Sequence, residues 1–335
     1  MKFAVDAFGG DNAPGAIVEG CVNALKLADD FSLVLTGAKD RIEQELSKYS
    51  FDAKRIRIVD APEIITCEEQ PTVAIKQKKN SSLVRALEIV AAKEADCFIS
   101  AGSTGALLTG ATFIVRRLPG VKRPALAPIL PTRDGCVLLI DCGANVDCKP
   151  HYLQQFAIMG AAYMSGVMGV ENPRVGLINN GAEREKGNEL TRATYPLLEQ
   201  APINFVGNCE ARDLVSGEYD VIVCDGFAGN IVLKFMEGLA GTLMGMLKDE
   251  LMGDFRSKLG AAVAKPAFKR FKKKMDYTEY GGAPLLGIDG GIIKAHGSSN
   301  AKAISSALMQ ARAMVTGNVV GAIRVGIGSL EQAED

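Results

Sequence analysis

Residues 220–234 read DVIVCDGFAGNIVLK: a short β-branched run, a turn carrying two glycines, and then apolar residues at helical spacing. β-Branched side chains favour extended backbone, and glycine lets the chain turn sharply at the strand end. A strand that feeds a helix through such a turn is the unit of a parallel sheet, because the chain must cross back before the next strand can pair in the same direction. The unit recurs. Six strand-like runs enter glycine turns: DAFGGD, SAGSTGA, DCGAN, NNGAEREKG, CDGFAGN and AHGSSN.

Working outward, strands are expected at KFAVDA, FSLVLTG, RIRIVDA, DCFISAG, ALAPILP, CVLLIDCG, RVGLINN, INFVGN, DVIVCDG and IIKAHG. Helical periodicity marks residues 14–28, 81–93, 104–117, 152–168, 188–199, 229–251 and 299–316. This alternation predicts an α/β fold: a three-layer α/β/α, doubly wound, mostly parallel sheet of Rossmann-like type. The whole chain, 1–335, reads as a single α/β catalytic domain with a helical extension at about 240–280.

Composition narrows the class. With 335 residues, 47% of them hydrophobic and 23% charged, the chain can bury a sizeable core. Its eight cysteines show neither a CxxC pair nor zinc spacing, so they read as reduced thiols. The N-terminus reads as a strand rather than a secretion signal, and no apolar run reaches the roughly 20 residues of a membrane span. A cytoplasmic protein is expected.

In a parallel sheet the strand C-termini share one edge, so the six turns are expected to line one crevice, where open α/β sheets bind ligands. Backbone N–H groups in glycine turns can approach an anion closely. Neither GxGxxG after the first strand nor GxxxxGK[ST] occurs, which points to a ligand smaller than a nucleotide. Asn230, at the start of a long helix, can cap it or polarise a carbonyl oxygen. Lys186 in GAEREKGNE is either a fixed charge for an anion or a solvated surface lysine. His296, between an apolar strand and a Gly-Ser-Ser-Asn turn, is placed to donate a hydrogen bond or a proton, or is structural. No His, Cys or carboxylate pattern has metal spacing and no nucleophile elbow occurs, so neither a metal nor a cofactor is expected. A reaction in which a bound anion such as phosphate is itself the nucleophile fits that inventory.

The ordered blocks DAFGGD, SAGSTGALL, DCGAN, GLINNGAEREKGNEL, NFVGNCEARDL, CDGFAGNIVLK, EYGGAPLLG and AHGSSNAKAI resemble the bacterial acyl-ACP:phosphate acyltransferases of phospholipid synthesis, the PlsX family. The resemblance implies a homodimer with a fold similar to the phosphotransacetylase and isocitrate dehydrogenase groups. It implies conversion of acyl carrier protein thioesters and inorganic phosphate to acyl phosphate, which supplies a membrane glycerol-phosphate acyltransferase. Lys186 and Asn230 match positions of functional importance in that family. The phosphate and substrate set is then Gly102, Ser103, Thr104 and Gly105 with Asn145, Asp225 and Gly229, and the catalytic set is Lys186, Asn230 and His296. Phe8, Ser103, Cys224 and Ala228 depart from the family pattern, and no side-chain hydrogen bond is assigned to Ala228. A β-decarboxylating NAD-dependent dehydrogenase would need a carboxylate cluster and an arginine cluster that the sequence does not assemble. A non-catalytic membrane scaffold rests on the basic segment alone.

That segment, residues 256–274, carries eight basic residues and no acid in a chain of net charge −1. Leu251, Met252, Phe255, Leu259, Ala262 and Val263 fall on one side of a helical wheel. Pro266 is expected to end the helix at Lys265. Beyond it Phe268, Phe271 and Met275 share a face. The pattern predicts two short amphipathic helices that contact an anionic membrane surface through Phe255, Leu259, Val263, Phe268 and Phe271, at the inner face of the cell membrane, with carrier-protein docking as a secondary role. No nucleic-acid-binding module is present.

Overall fold

The computed structural model describes residues 1–275 and 281–334, without the side chains at 272, 273, 275 and 331–334. The block EYGGAPLLG, the end of the 240–280 extension and the Met275 side chain therefore lie partly or wholly outside the described residues. Twelve strands occur among them: β1 (Lys2–Asp6), β2 (Ser32–Gly37), β3 (Ile56–Asp60), β4 (Cys97–Ser100), β5 (Ala125–Leu126), β6 (Ile129–Pro131), β7 (Cys136–Ile140), β8 (Arg174–Asn179), β9 (Asn204–Glu210), β10 (Val221–Val223), β11 (Ala283–Leu286) and β12 (Gly291–Lys294). The helices are α1 (Gly15–Leu27), α2 (Lys39–Leu46), α3 (Pro71–Gln77), α4 (Ser82–Ala91), α5 (Thr104–Gly110), α6 (Pro150–Met168), α7 (Glu189–Gln200), α8 (Gly226–Leu251), α9 (Phe255–Met275), α10 (Ala301–Thr316) and α11 (Val319–Glu334).

The strands form two sheets, of order β3-β2-β1-β4-β12-β11-β5 and β6-β7-β10-β8-β9. Pairing is parallel except where β11 meets β12 and β5, and where β6 meets β7. The run ALAPILP, expected as one strand, supplies both β5 and β6. Pro128 divides it, because proline brings no N–H to a ladder. Around it Ala127 N donates to Pro284 O at 2.9 Å in the first sheet, and Leu139 N to Pro128 O at 3.0 Å in the second.

Alternation along each strand sends side chains to opposite faces. Phe3 and Val5 of β1, with Leu138 and Ile140 of β7, join one buried cluster that also takes Ile17, Phe156, Tyr163 and Leu308 from α1, α6 and α10. Ala4 of β1 faces the other way, onto Leu83 and Leu87 of α4. Val137 and Leu139 of β7 turn from the central cluster to a third one, against which Val232, Leu233 and Met236 of α8 pack. The central cluster draws on both sheets, so the two crevice edges are held by one continuous core.

Past Met236, α8 packs on no core cluster. It leaves the body and turns at residues 252–254 into α9, which Asp254 begins by accepting from Arg256 N at 2.8 Å and Ser257 N at 3.1 Å. The expected break at Pro266 is absent: α9 runs through it as one helix of 21 residues. Proline removes one helical hydrogen bond and disfavours, without forbidding, helical backbone before it. Ala262, whose carbonyl would have accepted from the N–H that Pro266 lacks, is exposed, so water can serve it. Among the described residues no single helix is long and apolar enough to cross a membrane.

Candidate active site

The six glycine turns divide three to a sheet. In the first sheet, β1, β4 and β12 are neighbours. Asp6, closing β1, is 2% exposed and accepts from Ser100 Oγ at 2.8 Å and from Phe8 N at 3.2 Å. Burial raises its carboxyl above the usual range, against the pull of those donors. Ser100 Oγ in turn accepts from Gly102 N at 3.0 Å. A Cβ on Gly9 would lie 2.6 Å from both Asp6 Oδ2 and Gly102 N, so only glycine lets the β1 and β4 turns meet. The β12 turn joins them through Asp11 N to Gly297 O at 2.8 Å and Asn12 Nδ2 to Ser298 O at 3.1 Å. Ser103 caps α5, its Oγ accepting from Ala106 N at 3.4 Å, with Thr104 exposed and Gly105 half-buried in the first turn.

His296 follows Lys294 and Ala295 and is exposed. Its Nδ1 accepts from Ser298 N at 3.2 Å and lies 2.9 Å from Ser298 Oγ. A backbone N–H can only donate, so the neutral ring carries its proton on Nε2. That leaves Nε2–H as a donor.

The second sheet repeats the device with β7 and β10. Asp141, fully buried at the end of β7, accepts from Leu126 N at 2.8 Å, Ala144 N at 3.3 Å, Asn145 N at 2.6 Å and Asn145 Nδ2 at 3.0 Å. Burial raises its carboxyl to about 6. The bond from Leu126 ties this turn to β5 of the first sheet. Asn145 Nδ2 also donates to Pro124 O at 2.7 Å, so both its side-chain amide protons serve the turn rather than a ligand, while its backbone carbonyl accepts from Gly226 N at 2.7 Å. A Cβ on Gly229 would come within 1.9 Å of Asp141 O; the first turn of α8 rests directly on the end of β7.

Asp225, not Asn230, caps α8: its carboxylate accepts from Ala228 N at 2.8 Å. Capping needs non-helical backbone at the residue before the first turn, and that residue is Asp225. Asn230 is exposed on the helix, its Oδ1 so placed that a Cβ on Gly143 would lie 3.6 Å away. Its amide is therefore beside the β7 turn and is not needed to start α8.

Lys186 lies in the third turn of this sheet, after β8. Its backbone is tied there, N to Glu183 O at 3.1 Å and O from Asn179 Nδ2 at 3.1 Å, while its side chain is exposed and makes no ion pair among the described residues. Asn188 caps α7 just beyond, accepting from Thr191 N at 2.9 Å. The structure thus joins residues 102–105 and His296 in one set, and Asn145, Asp225, Gly229 and Asn230 in another, with Lys186 in a separate turn of the second sheet.

Over residues 1–321 the chain matches the family described as fatty acid synthesis protein. It belongs to that family. The chain is 52% identical over 322 residues to the phosphate acyltransferase of Clostridium perfringens SM101, covering 96% of this chain and 95% of the relative. It is 51% identical over 330 residues to the phosphate acyltransferase of Clostridium botulinum Loch Maree, covering 98% of each. Among solved structures, the EutD phosphotransacetylase from Staphylococcus aureus aligns with a TM-score of 0.62 at 15% identity, over 93% of this chain and 94% of that one. The 4-hydroxythreonine-4-phosphate dehydrogenase from Klebsiella pneumoniae aligns at 0.55 and 14% identity, over 93% and 98%. At such identities these two share the fold alone. The expected Rossmann-like α/β class and its likeness to phosphotransacetylases hold for this member of the family.

Five buried polar residues of the turns and the strand ends beside them lie outside the expected set: Asp6, Ser100, Asp141, Lys294 and Ser299. Asp6, Asp141 and Asp225 share a signal, an aspartate just where an apolar strand meets a glycine turn. Lys294 has a fainter one, a lysine closing the otherwise apolar run GIIK.

Proposed function

We propose that this protein is a phosphate acyltransferase, moving an acyl group from a thioester to inorganic phosphate. The observation that carries the reading is 52% identity, over 96% of the chain, to a protein named for that activity. A phosphate oxygen attacks the thioester carbonyl carbon, the C–S bond breaks and the thiolate leaves. Such a reaction needs an anion cradle, donors for the carbonyl oxygen as it gains charge, and a proton or cation for the departing sulfur.

In this reading the exposed Lys186 ammonium attracts and orients phosphate, and the Asn230 amide donates to carbonyl or phosphate oxygen from the side of α8. His296 Nε2–H meets the developing charge or the leaving sulfur. The turn at 102–105 and the first turn of α8, with Asp225 and Gly229, shape the walls. Asn145 acts by holding the α8 turn in place.

The thioester is that of acyl carrier protein, and the acyl phosphate supplies a membrane glycerol-phosphate acyltransferase. The protein works in the cytoplasm as a homodimer bound peripherally to the inner face of the cell membrane. Support for the membrane contact is the cationic segment 256–274 and the exposure of Phe255, Leu259, Val263 and Phe271, with Phe268 half-buried. Support for the dimer is the apolar stripe of α8, where Phe235, Leu239, Leu243 and Met246 are 66, 43, 55 and 60% exposed.

Purified protein given acyl-carrier-protein thioester and phosphate is expected to form acyl phosphate, trapped as hydroxamate with hydroxylamine. Lys186→Ala and Asn230→Ala are each expected to slow it on the order of 100-fold with melting temperatures unchanged, since neither side chain holds the fold. No hydroxamate from any thioester sinks the reading. Wild-type rates in either variant remove that residue from the site.

A further inference from the structure

Lys294 closes β12 and has no task in the reaction as described. Its register partner on β4 is Ser100, whose hydroxyl donates to Asp6 of β1. Side chains at one register of adjacent parallel strands share a face, so a carboxylate, a hydroxyl and an ammonium stand in a row at the C-terminal edge of the first sheet. Asp6, Ser100 and Lys294 are 2, 1 and 8% exposed.

A lysine this buried ordinarily meets a carboxylate, because an ammonium removed from water without a counter-charge is strongly disfavoured. Among the described residues no carboxylate oxygen lies within ion-pair distance of Lys294 Nζ. It donates instead to two carbonyls, Ala101 O at 3.4 Å and Ala295 O. Carbonyls take two of its three protons and supply no net charge. The remaining proton and the positive charge sit against the glycine turn that leaves β4.

The surroundings show the strain of that arrangement. Burial brings the ammonium down to about 8, and Lys234 of α8 pushes the same way, while Cys67, Asp6 and Asp11 hold it up. A second group, in the turn that leaves β12, lacks a partner: Ser299, 6% exposed, has its Oγ buried with no hydrogen bond. A cation without a counter-charge and a hydroxyl without a partner, within six residues, fit an oxyanion.

We propose that Lys294 is the buried cation of an inorganic-phosphate site formed by the turns that leave β4 and β12. The inference rests on the phosphate acyltransferase reading and adds to it a charge distinct from the exposed Lys186. The phosphate neutralises the ammonium, and the ammonium fixes the phosphate against residues 100–105, where Ser100 already orders the backbone.

The test compares wild type with Lys294→Met and Lys294→Arg. Inorganic phosphate, without an acyl donor, is titrated into each while the melting temperature is followed; KM for phosphate and for the acyl donor are then measured separately. Phosphate is expected to raise the melting temperature of wild type and not of Lys294→Met. The methionine variant should show a phosphate KM higher by about 10- to 100-fold, as for loss of a hydrogen bond to a charged group, with the acyl-donor KM unchanged. Lys294→Arg should recover part of the affinity.

The pH dependence carries the same test where the methionine variant does not fold. Phosphate affinity of wild type should fall as pH rises through about 8, where the ammonium loses its proton, whereas Lys294→Arg should not lose affinity there because a guanidinium stays charged. A wild-type phosphate KM or melting shift in folded Lys294→Met overturns the inference, as does an identical fall above pH 8 in wild type and Lys294→Arg. Wild type that binds phosphate through Lys294 yet makes no acyl phosphate sinks the reaction and leaves the site. Normal turnover with a Lys294-independent phosphate KM does the reverse.

Discussion

Asp141 shows how a single side chain can set the shape of a crevice it does not line. Its carboxylate gathers four N–H groups from Leu126, Ala144 and Asn145, joining the end of β7 to the edge strand of the other sheet. Asp141→Ala would take the acceptor from those partly buried N–H groups, each costing up to about 1 to 3 kcal/mol before relaxation. Urea unfolding is therefore expected to show a loss of about 3 kcal/mol or more, well above an ordinary surface substitution. A loss under about 1 kcal/mol would mean that water replaces the carboxylate and that the turn does not depend on it. The aspartate at the strand end is visible in the sequence. Which N–H groups it serves is not, because Leu126 lies 15 residues away and comes near through the antiparallel pairing of β6 with β7, whose register continues past Pro128 to set Leu126 beside Asp141.

At the scale of an element, α9 departs furthest from expectation. Phe255, Leu259 and Val263 are exposed at 81, 60 and 78%, but the helix continues through Pro266, which carries Phe271, exposed at 47%, about 80° around the axis from Val263 and off that stripe. Phe268 is half-buried and is the poorer probe of a membrane contact. Phe255→Glu with Val263→Glu is expected to abolish co-sedimentation with anionic vesicles, because it places two charges on the apolar face. Soluble acyl transfer should persist, since α9 packs on no core cluster and lies beyond the turns of the site. Wild-type binding should weaken with salt, each exposed cation contributing about 1 kcal/mol near such a surface. Undiminished vesicle binding by the double variant would remove α9 as the anchor, and a selective loss of carrier-protein affinity would assign the face to that partner.

For the whole molecule, the long exposed stripe on α8 argues for assembly. Six large apolar residues, Phe227, Ile231, Phe235, Leu239, Leu243 and Met246, are between 43 and 66% exposed. Their spacing puts them along one side of a 26-residue helix, about 39 Å long at 1.5 Å per residue. A stripe of that length is unusual on a soluble monomer. Sedimentation equilibrium is expected to give twice the 35.5 kDa chain mass for wild type, and Leu243→Glu with Met246→Glu to shift the protein toward the monomer. A wild-type monomer at micromolar concentration would end the homodimer reading. Both glutamates lie beyond Met236, clear of the body, so a changed mass would not reflect a collapsed core.

Local chemistry by itself determined the alternation of strand, glycine turn and helix, because β-branched runs, glycines at strand ends and Asn or Asp before a helix act over a few residues. Asn188 and Asn300 stand at their caps just where the helical patterns begin. The family was legible for the same reason, since its blocks are those turns. Only the tertiary structure decided that the strands form two sheets, with Pro128 between them, and that Asp225 rather than Asn230 starts α8. Only it brought Asp6, Ser100 and Lys294 into one row. These residues are 94 and 194 positions apart along the chain, and what unites them is parallel pairing of β1, β4 and β12. Pairing register is set by long-range contacts and burial, which no local run of residues contains.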